Sequence, residues 1–246
     1  MKPFLLLQSR PENEASDNEY EGFLLASGLM PQQLKRIRVE AEPLPTLYLE
    51  QYSGIILGGG PYNVSTPELY KTPNQKRVEK DLFNLMDILV KRDYPFFGAC
   101  YGIGILGKHQ GGEITNRYAE GVGYTDITLT DAGKQDPILA GMPATFQAIV
   151  GHKEACEVMP PHAVRLASSS ACPVQMFRVK TNLYATQFHP ELDMDGLRVR
   201  VSVYRHAGYF PPEDAEKVLK AAEPANLMYA PLSLRNFVRH YTQTAE

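Results

Sequence analysis

The stretch Tyr94-Pro95-Phe96-Phe97-Gly98-Ala99-Cys100-Tyr101-Gly102-Ile103-Gly104-Ile105-Leu106 decides how this chain folds. Residues 94–97 form a short apolar run, as a strand buried on both faces does, and residues 103–108 read as a helix. Between them lies Gly98-Ala99-Cys100-Tyr101-Gly102, leaving almost no room for a loop. A strand that turns this sharply into a helix presents the turn residue at the carboxyl edge of an open α/β sheet, where ligands bind. Small residues two positions either side of Cys100 suit a tight, strained turn, the geometry of a nucleophile elbow with Cys in place of Ser. A helix N-terminus just after it favours negative charge there. The plain alternative is an ordinary buried thiol, and the elbow pattern alone does not choose between them.

Working outward, residues 4–7 and 54–57 are two more short apolar runs, and the second enters Gly58-Gly59-Gly60-Pro61, which continues neither strand nor helix. Residues 20–29 read as a helix ending near Gly28, and 36–39 as a weak strand. Val78, Leu82, Leu85, Met86, Leu89 and Val90 fall at helical spacing. Beyond Gly111-Gly112 the pattern changes to short alternating pieces such as 125–130, which predict antiparallel hairpins. Strand-like 174–179 and 183–188 flank the turn Lys180-Thr181-Asn182, and helices are expected over 214–222 and 232–241. Early βαβ units favour an α/β protein with a mostly parallel sheet flanked by helices.

Composition narrows the classes. The chain has 246 residues, with 25 Lys+Arg against 28 Asp+Glu, and is 43% apolar. A slightly acidic chain without a basic block argues against a dominant nucleic-acid surface. No apolar stretch approaches the ~18–20 residues of a membrane span, and the run at 4–7 is shorter than a signal-peptide core of ~7–15 residues. Three cysteines without a CxxC pair indicate neither a disulfide scaffold nor a structural zinc site, and favour a reducing compartment. The expectation is one cytoplasmic domain spanning 1–246, with a catalytic core over about 1–195 and a helical C-terminal extension over about 196–246.

A second motif is Gln187-Phe188-His189-Pro190-Glu191. Pro190 pushes His189 toward an extended conformation, in which residues i and i+2 point to one side. His189 and Glu191 can then pair, the carboxylate fixing the imidazole tautomer as in a catalytic triad. Alone, this motif also fits a surface loop.

Taken together, Gly59-Gly60-Pro61, Gly98-Ala99-Cys100-Tyr101-Gly102 and Gln187-Phe188-His189-Pro190-Glu191 resemble, in order and spacing, the class I (triad-type) glutamine amidotransferases, and most closely the amidotransferase domain of GMP synthetase. The resemblance runs from Phe4 to about Glu191. It implies a flavodoxin-like α/β sheet with a smaller antiparallel sheet. It also implies Cys100 as nucleophile toward the side-chain amide of glutamine, His189 as acid and base, and Glu191 as its orienting partner. Backbone N–H groups of Gly60 and Tyr101 would hold the oxyanion, with Gly59 in the same loop and His152 of Gly151-His152-Lys153 bordering the substrate pocket. No cofactor is implied. The expected partners are glutamine or a γ-glutamyl amide and a synthetase that accepts ammonia, with a homodimer also entertained. The 55 residues after Glu191 are too few for a synthetase domain, so the acceptor is expected on another chain or in solution.

One position departs from the family pattern G-x-C-x-G-x-Q: the Gln is Gly104 here. That leaves open a γ-glutamyl hydrolase acting on peptides or conjugates, and, from another class, a non-catalytic binding module of the same fold. His152, Cys156, His162 and Cys172 invite a metal reading, but their spacing fits no standard zinc pattern. Arg198, Arg200, Arg205 and His206 read as a solvated basic patch, and Tyr209-Phe210-Pro211-Pro212 as a corner that packs the C-terminal helices.

Overall fold

The computed structural model describes residues 1–243, so the last three residues of the expected C-terminal extension lie outside it. Its strands are β1 (Phe4–Gln8), β2 (Leu34–Arg38), β3 (Ile55–Leu57), β4 (Phe96–Ala99), β5 (Glu113–Thr115), β6 (Glu120–Leu129), β7 (Thr145–His152), β8 (Ala155–Val158), β9 (Ala163–Ser168), β10 (Met176–Val179) and β11 (Leu183–Thr186). Its α-helices are α1 (Asn13–Ser27), α2 (Pro73–Arg92), α3 (Tyr101–His109), α4 (Asp131–Gln135), α5 (Met194–Val203), α6 (Ala215–Ala222) and α7 (Ala230–Gln243).

Nine strands form one sheet in the order β2-β1-β3-β4-β11-β10-β9-β6-β7, and β5 pairs with β8 in a separate small sheet. The run β2-β1-β3-β4-β11 is parallel throughout. Strands β10, β9, β6 and β7 continue it with antiparallel pairings. The expected α/β class, with its mostly parallel sheet, is therefore observed, and most antiparallel strands extend the main sheet.

Alternation along β1 shows how the sheet is covered. Phe4 and Leu6 enter a core shared with Phe23 of α1 and Phe237 of α7. Leu5 and Leu7 enter the opposite core, with Leu82 and Met86 of α2 and Ile105 of α3. Every residue of β1 is buried because both faces carry helices. Helix α2 follows the predicted spacing, with Pro73 at its start and Thr72 Oγ1 accepting from the Gln75 backbone N–H. Gly28 ends α1 in the left-handed region at φ 75°.

Two features are hidden in the sequence. Helix α1 starts at Asn13, seven residues before the start that periodicity suggests, because its first turns face polar neighbours. Gln8 Nε2 donates to the Ser16 carbonyl and to Glu19 Oε2, so apolar periodicity is missing there. Helix α5 gives no signal of its own: its sequence carries three valines and a glycine, weak helix formers. It is held by Asp193, which accepts from the Gly196 N–H at 2.8 Å. Among the described residues, no helix is long and apolar enough to cross a membrane.

Candidate active site

All four central parallel strands discharge their carboxyl ends at one place, next to the β1/β3 switch point of the sheet. Strand β1 delivers Ser9 and Arg10, β3 delivers the Gly58–Gly60 run, β4 delivers Cys100, and β11 delivers Gln187 through Glu191. Cys100 sits at φ 52°, a region that a residue with a side chain rarely occupies. It is held there by its backbone N–H, which donates to the Thr186 carbonyl of β11 at 2.8 Å. A Cβ on Gly98 would lie 2.8 Å from the Gly102 carbonyl carbon, so the strand and the helix pack backbone to backbone. Tyr101 opens α3, which leaves its N–H outside the helical hydrogen-bond ladder.

His189 arrives on the far side of the thiol. Its backbone N–H donates to the Ile149 carbonyl of β7, which fixes the segment beside the sheet. The imidazole Nδ1 hydrogen-bonds Glu191 Oε1 at 2.7 Å, and the ring lines the same cavity as Cys100. Both His189 and Glu191 are buried. Burial opposes the imidazolium, but the Glu191 carboxylate and Cys100 outweigh it and raise the His189 pKa to about 10. Burial likewise opposes the Glu191 charge, and His189 and then Arg200 bring its pKa below the ordinary value. His189 thus lies beside Cys100 in one cavity, with Glu191 hydrogen-bonded to its Nδ1.

The glycine run is backed by a buried polar cluster that sequence reasoning missed. A Cβ on Gly59 would lie 2.5 Å from Arg10 Nη2, and one on Gly58 would lie 2.7 Å from Glu19 Oε2. Arg10 Nε donates to Glu19 Oε1 at 2.8 Å and its Nη1 to Tyr204 Oη at 3.1 Å. Arg200 of α5 completes the cluster. The reading of Arg200 as part of a solvated patch is corrected: it is 6% exposed, whereas Arg198, Arg205 and His206 are exposed as expected. The alternation of Arg198 and Arg200 with valines gave no cue, because the helix turns one arginine inward and leaves its neighbour out. Residues beyond Glu191 also contribute to the site. Leu197, Arg200, Tyr204, Tyr209 and Phe210 all wall a cavity that opens on Cys100 and His189.

A second cavity touches Cys100 from the other side and is lined by Tyr62, Tyr101, His152, Lys153, Glu154 and Gln187. Here the missing Gln at position 104 has a physical counterpart. A Cβ on Gly104 would lie 2.9 Å from Glu154 Oε1 and 3.2 Å from Val64 Cγ2. Glu154 accepts from the backbone N–H groups of Val64 and Ser65, at 3.0 and 2.8 Å, and so fills the space beside Gly104. Burial raises the Glu154 pKa, partly opposed by its bonds to Ser65 and Val64.

His152 borders this cavity, but both ring nitrogens are engaged, Nδ1 with the Glu154 carbonyl at 2.9 Å and Nε2 with Glu120 at 3.0 Å. It anchors the Lys153–Glu154 turn. Glu120, His152 and Cys172 hold atoms within 4.8 Å of one another that could in principle ligate a metal. Gln175 Nε2 already donates to the same Glu120 oxygen at 2.7 Å, and burial pushes the Cys172 thiol up to about 12. The donor set is therefore closed by its own hydrogen bonds. The other residues of the metal reading, Cys156 and His162, are not in this group.

With this geometry in view, the class is defined. The sequence model of the family Glutamine amidotransferase class-I matches residues 24–198, and the chain belongs to that family. Its curated relatives include a glutamine-hydrolyzing GMP synthase subunit from Sulfurisphaera tokodaii, 33% identical over 150 residues, covering 60% of this chain and 72% of that one. The corresponding protein of Thermoplasma volcanium is 28% identical over 165 residues, or 65% of this chain and 75% of the relative. In structure, the chain resembles a glutamine amidotransferase from Thermotoga maritima with a TM-score of 0.78 at 18% identity, covering 99% of both chains. A glutamine amido transferase from Methylobacillus flagellatus gives 0.72 at 19% identity, covering 100% of this chain and 95% of the other.

Proposed function

We propose that this chain hydrolyses the side-chain amide of glutamine through a thioester on Cys100 and passes the ammonia to a synthetase-type acceptor. The observation that carries the proposal is the buried His189–Glu191 pair lining one cavity with Cys100 on its strained elbow. Cys100 Sγ attacks the amide carbon, and its proton passes to His189, whose charge Glu191 offsets. The oxygen of the tetrahedral intermediate takes hydrogen bonds from the Gly60 and Tyr101 backbone N–H groups, worth several kcal/mol at the transition state. His189 then gives the proton to the departing ammonia, and the C–N bond breaks. Water adds to the thioester with His189 as base, the thiol is restored, and glutamate leaves.

The cavity lined by Glu154 suits the amino-acid end of glutamine, the carboxylate matching its ammonium, while Lys153 Nζ is engaged by the Ala207 carbonyl at 2.6 Å. Kinship with these GMP synthase subunits supports a separate synthetase chain as the ammonia acceptor. The test is glutamate release from glutamine, followed with and without a candidate synthetase. Wild-type turnover that disappears in Cys100→Ala is the expected result. Equal rates in the two proteins refute the proposal.

A further inference from the structure

The cavity on the His189 side of Cys100 has more in it than the departure of ammonia requires. Cys100, Gly60, Gly151 and Tyr209 are shared by both cavities, whereas His189 lines only this one and Glu154 only the other. A substrate whose glutamyl end lies toward Glu154 must place its leaving nitrogen toward His189, because that is the group that protonates it. The cavity beyond His189 is therefore where a leaving group larger than ammonia would sit. Its volume is about 50 Å³, several times the ~10–15 Å³ that one water needs, and thus room for a group the size of a carboxylate.

Away from Cys100 and His189, its walls mix apolar Val122, Ile149, Leu192 and Phe210 with Tyr204, Tyr209 and two arginines. Arg10 is satisfied by Glu19 and Tyr204. Arg200 is not: among the described residues, Nε, Nη1 and Nη2 all lack a hydrogen-bond partner although the residue is 6% exposed. The Glu19 carboxylate is 3.8 Å from Arg200 Nη2, and the oxygen it presents is already taken by Arg10 Nε. Glu191 Oε2, another anionic atom without a partner among the described residues, belongs to a carboxylate bound to His189. Burying a guanidinium with five unmet donors is costly, and an anionic ligand that enters the cavity removes that cost.

We infer that Arg200, backed by Arg10, binds the carboxylate of an amine leaving group, so that this chain cleaves γ-glutamyl amides of amino acids. The inference rests on the proposal that Cys100 is the acylated nucleophile. Cys100 Sγ bonds to the γ-carbonyl carbon, and the thiol proton passes through His189 to the amide nitrogen. The C–N bond breaks, and the free amino acid leaves with its carboxylate against Arg200. Water then cleaves the thioester, one proton returning to the Cys100 sulfur, to give glutamate.

The experiment compares kcat/KM of the purified chain for γ-glutamylglycine, γ-glutamylglycinamide and glutamine, reading released glycine, glycinamide and ammonia. The two dipeptides differ only in the charge that Arg200 would meet. The expected preference for the charged dipeptide is about tenfold to a hundredfold, the range for a hydrogen-bonded charge. In Arg200→Met the ratio is expected to fall to about one, with part of it kept in Arg200→Lys. The wild-type ratio stands by itself if a variant fails to fold. Glutamine turned over with a dipeptide ratio near one, or with no cleavage of γ-glutamylglycine, overturns this inference alone. No turnover of any of the three, with no acyl-enzyme detected, sinks the proposed function as well.

Discussion

Adding one methyl group to Gly98 tests the elbow without touching a reacting atom. A Cβ there would lie 2.8, 2.9 and 3.0 Å from the carbonyl carbon, Cα and oxygen of Gly102, all of them backbone, where ordinary contact begins at 3.4 Å. Strand β4 and the start of α3 must therefore separate by about half an ångström or more. The helix has little room to retreat, because Gly102 is itself packed on the Leu57 carbonyl of β3, at 3.3 Å from an added Cβ. Overpacking of this kind costs about 1–3 kcal/mol, and each kcal/mol lowers Tm by roughly 2–4 °C in a chain of this size. The larger effect falls on turnover, since displacing a reacting group by about 1 Å costs on the order of a hundredfold. The assay is glutamate release together with a thermal melt, with Gly121→Ala as the control, because nothing among the described residues lies within 4 Å of a Cβ there. Gly98→Ala that keeps wild-type kcat and Tm would refute the argument that the elbow is held by backbone contact.

Three further outcomes are expected. The His189–Glu191 pair makes stability depend on pH. The raised His189 contributes fully below its ordinary value of 6.5 and loses that contribution as pH rises toward about 10, while the lowered Glu191 contributes above its ordinary 4.5 and loses it in acid. The Tm advantage of wild type over Glu191→Gln should therefore peak between those two ordinary values, and a pH-independent difference would contradict the pairing. Gly104→Ala pushes a methyl group against Glu154, so KM for glutamine should rise several-fold with a smaller change in kcat; unchanged KM would remove Glu154 from the substrate pocket. Burial pushes the thiols of Cys156 and Cys172 up to about 12, so iodoacetamide at neutral pH should add one label to the native chain, on Cys100, and three after denaturation. Native labelling of Cys156 or Cys172, read by intact mass, would show those burials to be wrong.

What the sequence disclosed and what it hid follow one physical line. Elements that bury apolar stripes were legible: β1, α2, β4 and the hairpin of β10 and β11 all announce themselves by periodicity. The three motifs at strand ends were legible as well, because Gly98 and Gly102, the glycine run and Pro190 are demanded by local backbone geometry. The polar half of the site was not legible. Arg10, Glu19, Arg200 and Tyr204 meet only through the fold, from the ends of β1 and α5 and from α1, and a buried arginine looks in sequence like a solvated one. Glu154 beside Gly104 is a second case: a side chain far along the chain occupies the volume, and no local pattern encodes that. His152 stood out by its motif, yet its ring is spent on Glu120 and on the chain itself.

The pairing of β11 with β4 has a consequence for when this protein becomes chemically active. Leu183 to Thr186 lie against Phe96 to Ala99, and the Cys100 N–H is tied to Thr186. Sulfur and imidazole are brought together by that contact, between segments far apart in sequence, and contacts of this kind are slow to form. A chain that has built its first four parallel strands already displays the thiol but lacks His189, the base that the proposed function assigns to it. On the proposed function, reactivity is thus gated by the last parallel strand to be synthesised, and a nascent or partly opened molecule is expected to be silent toward amides.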